Sequence, residues 1–238
     1  MFEIKNLSAG YSKNLLIKNL SFFLPDATFL AIIGHNGSGK STLLKAITNQ
    51  IPFKGEILLN NQILKNNKYI ATLNQQNDLK FSITVRELVV MGKFSNKKFF
   101  ESYSEKDFFS VEEVLNALNI QHLADKNFTI LSGGEKQLVW LAQMMIQNCD
   151  CFLLDEPTQS LDVYNKKRIF NLMFEWVNIY KKNVICITHD LLNLYSMNGY
   201  LINISKENPT LEILNEKTID ENRFYLENNP LKDLNLVM

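Results

Sequence analysis

Gly34-His35-Asn36-Gly37-Ser38-Gly39-Lys40-Ser41-Thr42 reads as a loop built for phosphate. Its spacing, Gly34-x4-Gly39-Lys40-Ser41, is that of a Gly-rich loop whose backbone N–H groups turn inward toward phosphate oxygens. The apolar run Phe29–Ile33 before it predicts a strand, and Thr42-Leu43-Leu44 after it continues as a helix. The loop would then sit at a helix N-terminus, where the backbone dipole favours an anion. On this reading Gly34, Asn36, Gly37, Ser38, Gly39, Lys40, Ser41 and Thr42 form a nucleotide cradle. Lys40 would bridge the β- and γ-phosphates as a point charge, and the Ser41 hydroxyl would take one Mg²⁺ position.

Two further stretches extend the pattern. Phe152-Leu153-Leu154-Asp155-Glu156-Pro157 is an apolar strand ending in two carboxylates. Successive strand side chains point to opposite sides, so the pair can serve separate targets. Asp155 would hold the Mg²⁺ shell, and Glu156 would polarise an attacking water as general base. Leu131-Ser132-Gly133-Gly134-Glu135 precedes a helix. Its glycines admit a phosphate to bare amides, and Ser132 adds a hydroxyl donor. A single triphosphate has no need of two anion cradles on one chain, so this second cradle predicts a second copy of the molecule.

Outward from these motifs, Phe2–Lys5, Leu15–Leu20, Thr28–Ile33, Gly55–Leu59 and Tyr69–Leu73 have strand character. This first section is expected to hold antiparallel strands beside the core strand that feeds the loop. Thr84-Val85-Arg86-Glu87 matches a capping box. From Ser104, Phe108, Val111, Val114, Leu115 and Leu118 recur at helical spacing and predict one buried face. Residues 95–100 read as a Lys-rich surface loop. Beyond Glu135 the pattern predicts a helix to about Asn148, a strand at 151–154, a helix near 163–180, a strand at 183–188 and a short helix from Leu191. Such strand–helix–strand alternation implies a mostly parallel sheet flanked by helices. Past Leu214 the chain is polar and Asn-rich, with helical potential at 218–226.

The chain has 238 residues, and Lys+Arg and Asp+Glu both total 25. A formal charge of zero argues against a free nucleic-acid binder. There is no signal-peptide pattern and no apolar run near the length that spans a bilayer, so a membrane role would come through a partner. Cys149, Cys151 and Cys186 fit no zinc spacing and read as buried free thiols.

Gly34–Ser41, Leu131–Glu135 and Leu153–Glu156, in this order, resemble the ATPase subunit of an ABC transporter over roughly residues 1–205. The resemblance implies an α/β fold: a P-loop NTPase core with a mostly parallel sheet, an N-terminal antiparallel β subdomain and an inserted α-helical subdomain near 80–148. It implies one ABC ATPase domain over 1–238, with a variable tail from about 206. It further implies ATP and Mg²⁺ as ligands and a head-to-tail dimer in which Ser132–Gly134 of one copy closes over ATP held by the other.

Smaller motifs of the family fall on Tyr11 (adenine stacking), Gln75 (the Q-loop contact to Mg²⁺ or water, with Gln76 as neighbouring competitor), Asp162 (the D-loop) and His189 (the switch histidine on the γ-phosphate). His35 and His122 carry no such support. Departures are Glu135 where Gln is common, Leu138 for a basic residue, Asn74 for a proline, and a segment 197–206 without the usual Asp-Gly hairpin. Thr84–Val89 with Gly92-Lys93-Phe94 is similar to importers of iron–siderophore, haem and cobalamin. Zinc and manganese importers share parts of it, and a soluble non-transport ABC ATPase is the reading of a different class. The importer reading implies permease subunits, an indirect substrate-binding protein, and a location on the cytoplasmic face of the inner or plasma membrane.

Overall fold

The computed structural model describes residues 1–11, 14–65, 69–73, 79, 81–97, 101–147, 149–159 and 161–229. Gln75, Gln76, Asn74 and Ser160 therefore lie outside the described residues.

Three strands whose every residue is buried set the centre: β3 (Phe29–Ile33), β7 (Cys151–Asp155) and β8 (Asn183–Ile187). Runs this apolar belong in the middle of a parallel sheet covered on both faces. The sheet order is β10-β9-β3-β8-β7-β6, with β6 at Ile70–Leu73, β9 at Tyr200–Asn203 and β10 at Glu212–Ile213. All its pairings are parallel except β9 with β10. A second, antiparallel sheet has the order β2-β1-β4-β5, from β1 (Phe2–Tyr11), β2 (Asn14–Leu24), β4 (Phe53–Leu59) and β5 (Gln62–Ile63).

The two-residue period of the central strands divides the core. Phe29, Ala31, Ile33, Phe152, Leu154, Val184 and Cys186 face one apolar cluster. Leu30, Ile32, Cys151, Leu153, Ile185 and Ile187 face the other. The second cluster packs helix α1 (Lys40–Ile47) and the antiparallel sheet, through Leu43, Ala46, Phe2, Ile4 and Leu24. The first packs α2 (Val85–Val90), α3 (Glu105–Ala117), α4 (Gly133–Met145) and α5 (Val163–Asn178). The fold is thus a mostly parallel sheet between two layers, with α6 (Leu191–Leu194) and α7 (Glu216–Asn228) at its C-terminal side.

Local signals account for the helix starts. Thr84 and Glu87 close the capping box of α2, and Ser104 with Asp107 close that of α3. Val111, Leu115 and Leu118 are buried on α3, with Phe108 and Val114 packed against them. Arg86 ties α2 to Glu112 of α3 and to Asp125, and Lys97 binds Asp107 at 2.6 Å. Lys97 and the Ser104 amide together hold the Asp107 carboxyl well below the usual range.

Three expectations are corrected. Ile70–Leu73 does not join the antiparallel section but pairs in parallel with β7, because a short apolar run does not encode its partner. Residues 91–96 form a 3₁₀ segment, so the first part of the expected 95–100 loop is wound rather than open. Helix α4 begins at Gly133, two residues before Glu135. The segment 197–206 contains strand β9, which returns to β10 through a longer connection than a tight hairpin. The three cysteines are buried and free, and burial pushes the Cys149 thiol up to about 11. Among the described residues no helix is long and apolar enough to cross a membrane.

Candidate functional site

The phosphate loop leaves the buried end of β3 and enters α1 at Gly39, whose φ of 99° is open to glycine and strained for other residues. A Cβ there would also lie 3.0 Å from Ile17 Cδ1. No side chain caps α1, so its first-turn amides are left for an anion. Lys40 is buried and its Nζ donates to the carbonyls of Gly34 (2.8 Å) and His35 (2.9 Å). Burial lowers its pKa, against the opposing pull of Glu156 and Asp155. Ser38 Oγ is buried and finds no hydrogen-bond partner among the described residues, which suits an oxyanion at the loop.

The carboxylates stand at the end of β7, which β8 separates from β3. Asp155 is buried at the end of β7, within electrostatic reach of the Ser41 hydroxyl. Burial raises its pKa, the Ser41 hydroxyl opposes this, and the nearby Glu156 adds to the rise. Glu156, just past the end of β7, takes a left-handed backbone, φ 51°. Its N–H donates to the Ile187 carbonyl at 3.0 Å, fixing this turn to β8. His189, just beyond β8, places Nε2 3.2 Å from Glu156 Oε1. Burial and the Lys40 cation lower the His189 pKa, while Glu156 resists.

Lys40, Ser41, Glu156 and His189 share a cleft of about 510 Å³ with Leu16, Asn36, Gly37, Gly39, Thr42 and Gln159, whereas Gly34, Ser38 and Asp155 do not line it. A neighbouring cavity of about 700 Å³ continues past Glu156, Gln159 and His189 toward α7. A buried carboxylate near a hydroxyl is a donor set suited to Mg²⁺, which takes few protein oxygens beside water and phosphate. Tyr11 is half-exposed at the end of β1, and Lys45 Nζ donates to its Oη at 3.3 Å. Tyr11 does not line the cleft.

The second expected cradle is elsewhere. Ser132 caps α4: its amide donates to Glu135 Oε2 at 2.8 Å and its hydroxyl to the same oxygen at 2.7 Å. These bonds hold the Glu135 carboxyl below its ordinary pKa. Asp162 caps α5, accepting from the amide of Asn165 at 2.8 Å and from its Nδ2 at 2.9 Å. A Cβ on Gly134 would stand 3.0 Å from Asn165 Nδ2, so a glycine here lets the two helix starts touch. Ser132, Gly133, Gly134 and Asp162 are thereby gathered together, and none of them lines the phosphate cleft.

Gln159 and Leu16 line the cleft without having been singled out from sequence. Neither belongs to a motif with its own spacing, and only proximity in the fold reveals them. His122 is exposed, and His35 is engaged with the C-terminal part of the chain.

A strand, a phosphate loop and an uncapped helix, with paired carboxylates at the end of a parallel strand one removed in the same sheet, define a P-loop nucleotide-binding protein. Residues 17–159 match the family model described as ABC transporter, and the chain belongs to that family, as its ATP-binding subunit. It is 36% identical to a probable ABC transporter ATP-binding protein from Cyanophora paradoxa, over 91% of this chain and 92% of the relative. It is 34% identical to the achromobactin transport ATP-binding protein CbrD of Dickeya dadantii, over 79% and 72% respectively. The high-affinity zinc uptake protein ZnuC of Bacillus subtilis is less similar, at 28% over 80% of this chain and 84% of the relative. Among solved structures, an inward-facing ABC transporter of metal-chelate type matches with a TM-score of 0.80 and 28% identity, over 90% of this chain and 83% of that one.

Proposed function

We propose that this chain is the ATP-hydrolysing subunit that powers an ABC importer of iron–siderophore, haem or cobalamin type. The observation that carries the reading is the separation of the two cradles. Lys40, Ser41, Glu156 and His189 line one cleft, while Ser132–Gly134 and Asp162 gather outside it. A triphosphate gripped from both sides therefore requires a second copy placed head to tail. The similarity to CbrD, set against the weaker similarity to ZnuC, supports the iron-chelate class over metal-ion uptake.

The chain's own groups divide the chemistry. The loop amides and Lys40 bind and orient the phosphates. Glu156 orients the attacking water and takes its proton, and His189, beside Glu156, keeps that carboxylate aimed and meets the γ-phosphate as a neutral imidazole. Ser41 and Asp155 would hold Mg²⁺, with Gln75 completing the set; the ion supplies charge neutralisation at the phosphates when bound. Tyr11 stacks on the adenine, and Asp162 lies across the dimer seam.

The domain is one unit over 1–238, with the helical insertion of about 80–148 meeting the permease and a variable section from about 206. The chain would sit on the cytoplasmic face of the inner or plasma membrane through that permease, with the binding protein acting at a distance and no nucleic acid involved.

The test is Glu156→Gln. The variant should bind ATP, lose turnover and elute as a dimer with ATP, whereas the parent dimerises only transiently. A variant that stays monomeric with saturating ATP would argue against the sandwich. Uptake of a ferric siderophore, lost on deletion and restored by the parent gene but not by the variant, tests the cargo class.

A further inference from the structure

The turn after β9 and the end of α7 each reach the phosphate loop, both at His35. The His35 backbone N–H donates to Ser205 Oγ at 2.7 Å. On the other side, His35 Nε2 lies 2.8 Å from the carbonyl oxygen of Asn229, the residue that ends α7. A carbonyl oxygen only accepts, so Nε2 carries the proton of this bond.

Ser205 is in turn held by a chain of side-chain amides. Its N–H donates to Asn203 Oδ1 at 3.0 Å, and Asn203 Nδ2 donates to Asn222 Oδ1 at 3.1 Å. Asn222 Nδ2 donates to Glu212 Oε2 at 2.8 Å and to the Thr218 carbonyl at 2.9 Å. Tyr225 adds a bond from its hydroxyl to the Ser205 carbonyl at 3.3 Å. Asn203 and Asn222 are wholly buried, so each depends on the other for a partner that water cannot supply. Ile219 and Asn222 are the buried residues of α7. The attachment of this helix is therefore largely polar, and the polar route leads from Asn222 to the loop.

We propose that α7 is a strut for the phosphate loop, and that Asn222, Asn203 and Ser205 are positioning residues for nucleotide binding that act through His35. The proposal rests on the reading of residues 34–42 as the nucleotide site. A loop anchored at its second residue presents its amides already ordered. Without the anchor, binding must supply the ordering, and affinity falls.

The test is binding of a fluorescent ATP analogue, with magnesium, to the full chain, alongside melting of the nucleotide-free protein. Ser205→Ala removes the acceptor for the His35 amide and should weaken binding about five-fold, while the nucleotide-free Tm stays within about 2 °C of the parent. Asn222→Ala, remote from the cleft, should weaken binding in the same direction. The double variant should bind no more weakly than the weaker single, because both act on one chain of contacts. Parent-like affinity in both single variants, with only Tm lowered, would overturn the strut. Simple additivity in the double variant would overturn the route through Asn203. A parent that binds no analogue would overturn the reading of the loop itself, and the strut with it.

Discussion

Helix α1 begins at Gly39, which offers no side chain to its amides, whereas α4 begins beneath a carboxylate of its own. The first helix start has Ser38, Lys40 and Asp155 buried about it, and Ser38 Oγ has no partner among the described residues. The second is exposed and complete: Ser132 and Glu135 satisfy one another across the first turn. The contrast teaches that one site is built to wait for its anion and the other to stand stably without it. An uncapped helix start gives up stability that a ligand restores, while a capped one secures its fold first and meets its ligand only when another molecule brings it.

Lys40→Ala breaks the contrast most severely. Removing the buried cation of the waiting site should weaken ATP binding by about 100-fold, read by titration with a fluorescent analogue. Retained affinity would mean that the amides alone suffice. Ser132→Arg tests the other helix. Turnover should fall about 100-fold, while the isolated subunit binds nucleotide as the parent does. Full activity would remove this helix from the chemistry.

A smaller effect sharpens the stability side. Glu135→Ala deletes half of the capping box and should lower Tm by about 2–4 °C, for a loss of ~1 kcal/mol. The Ser132 bonds depress the folded pKa of Glu135 below its ordinary 4.5. The parent's advantage is therefore present above that pH and shrinks as acid protonates the folded carboxylate. An advantage unchanged by acidification would mean that the charge plays no part. The smallest effect is a titration. In the nucleotide-free protein the His189 imidazole should titrate below its ordinary 6.5 by NMR. Lys40→Ala should move the midpoint upward, because one of the causes that lower it is that cation.

Much of this contrast was legible beforehand. The strand–loop–helix of 29–47, the apolar strand ending in Asp155-Glu156 and the capping box at Thr84 all depend on residues adjacent in sequence, and the structure has each of these elements. The α3 face followed from spacing alone. What escaped notice depends on distant partners. Ile70–Leu73 carries no mark of which sheet it enters, and Tyr200–Leu201-Ile202-Asn203 is too short to announce a strand. The bonds from His35 to Ser205 and Asn229 join residues 170 and 194 positions apart. No local pattern encodes such pairings, and Gln159 enters the cleft for the same reason.

The pairing of β7 with β8 has a further consequence. Asp155 lies opposite Ile187, so the acid that follows one strand and the imidazole that follows the other emerge side by side. Deleting a single residue within either strand would shift every later side chain to the opposite surface. Glu156 and His189 would then part company with each residue's chemistry untouched. The reactive pair is in this sense a property of alignment between two buried segments, and length in these segments is as stringently constrained as identity.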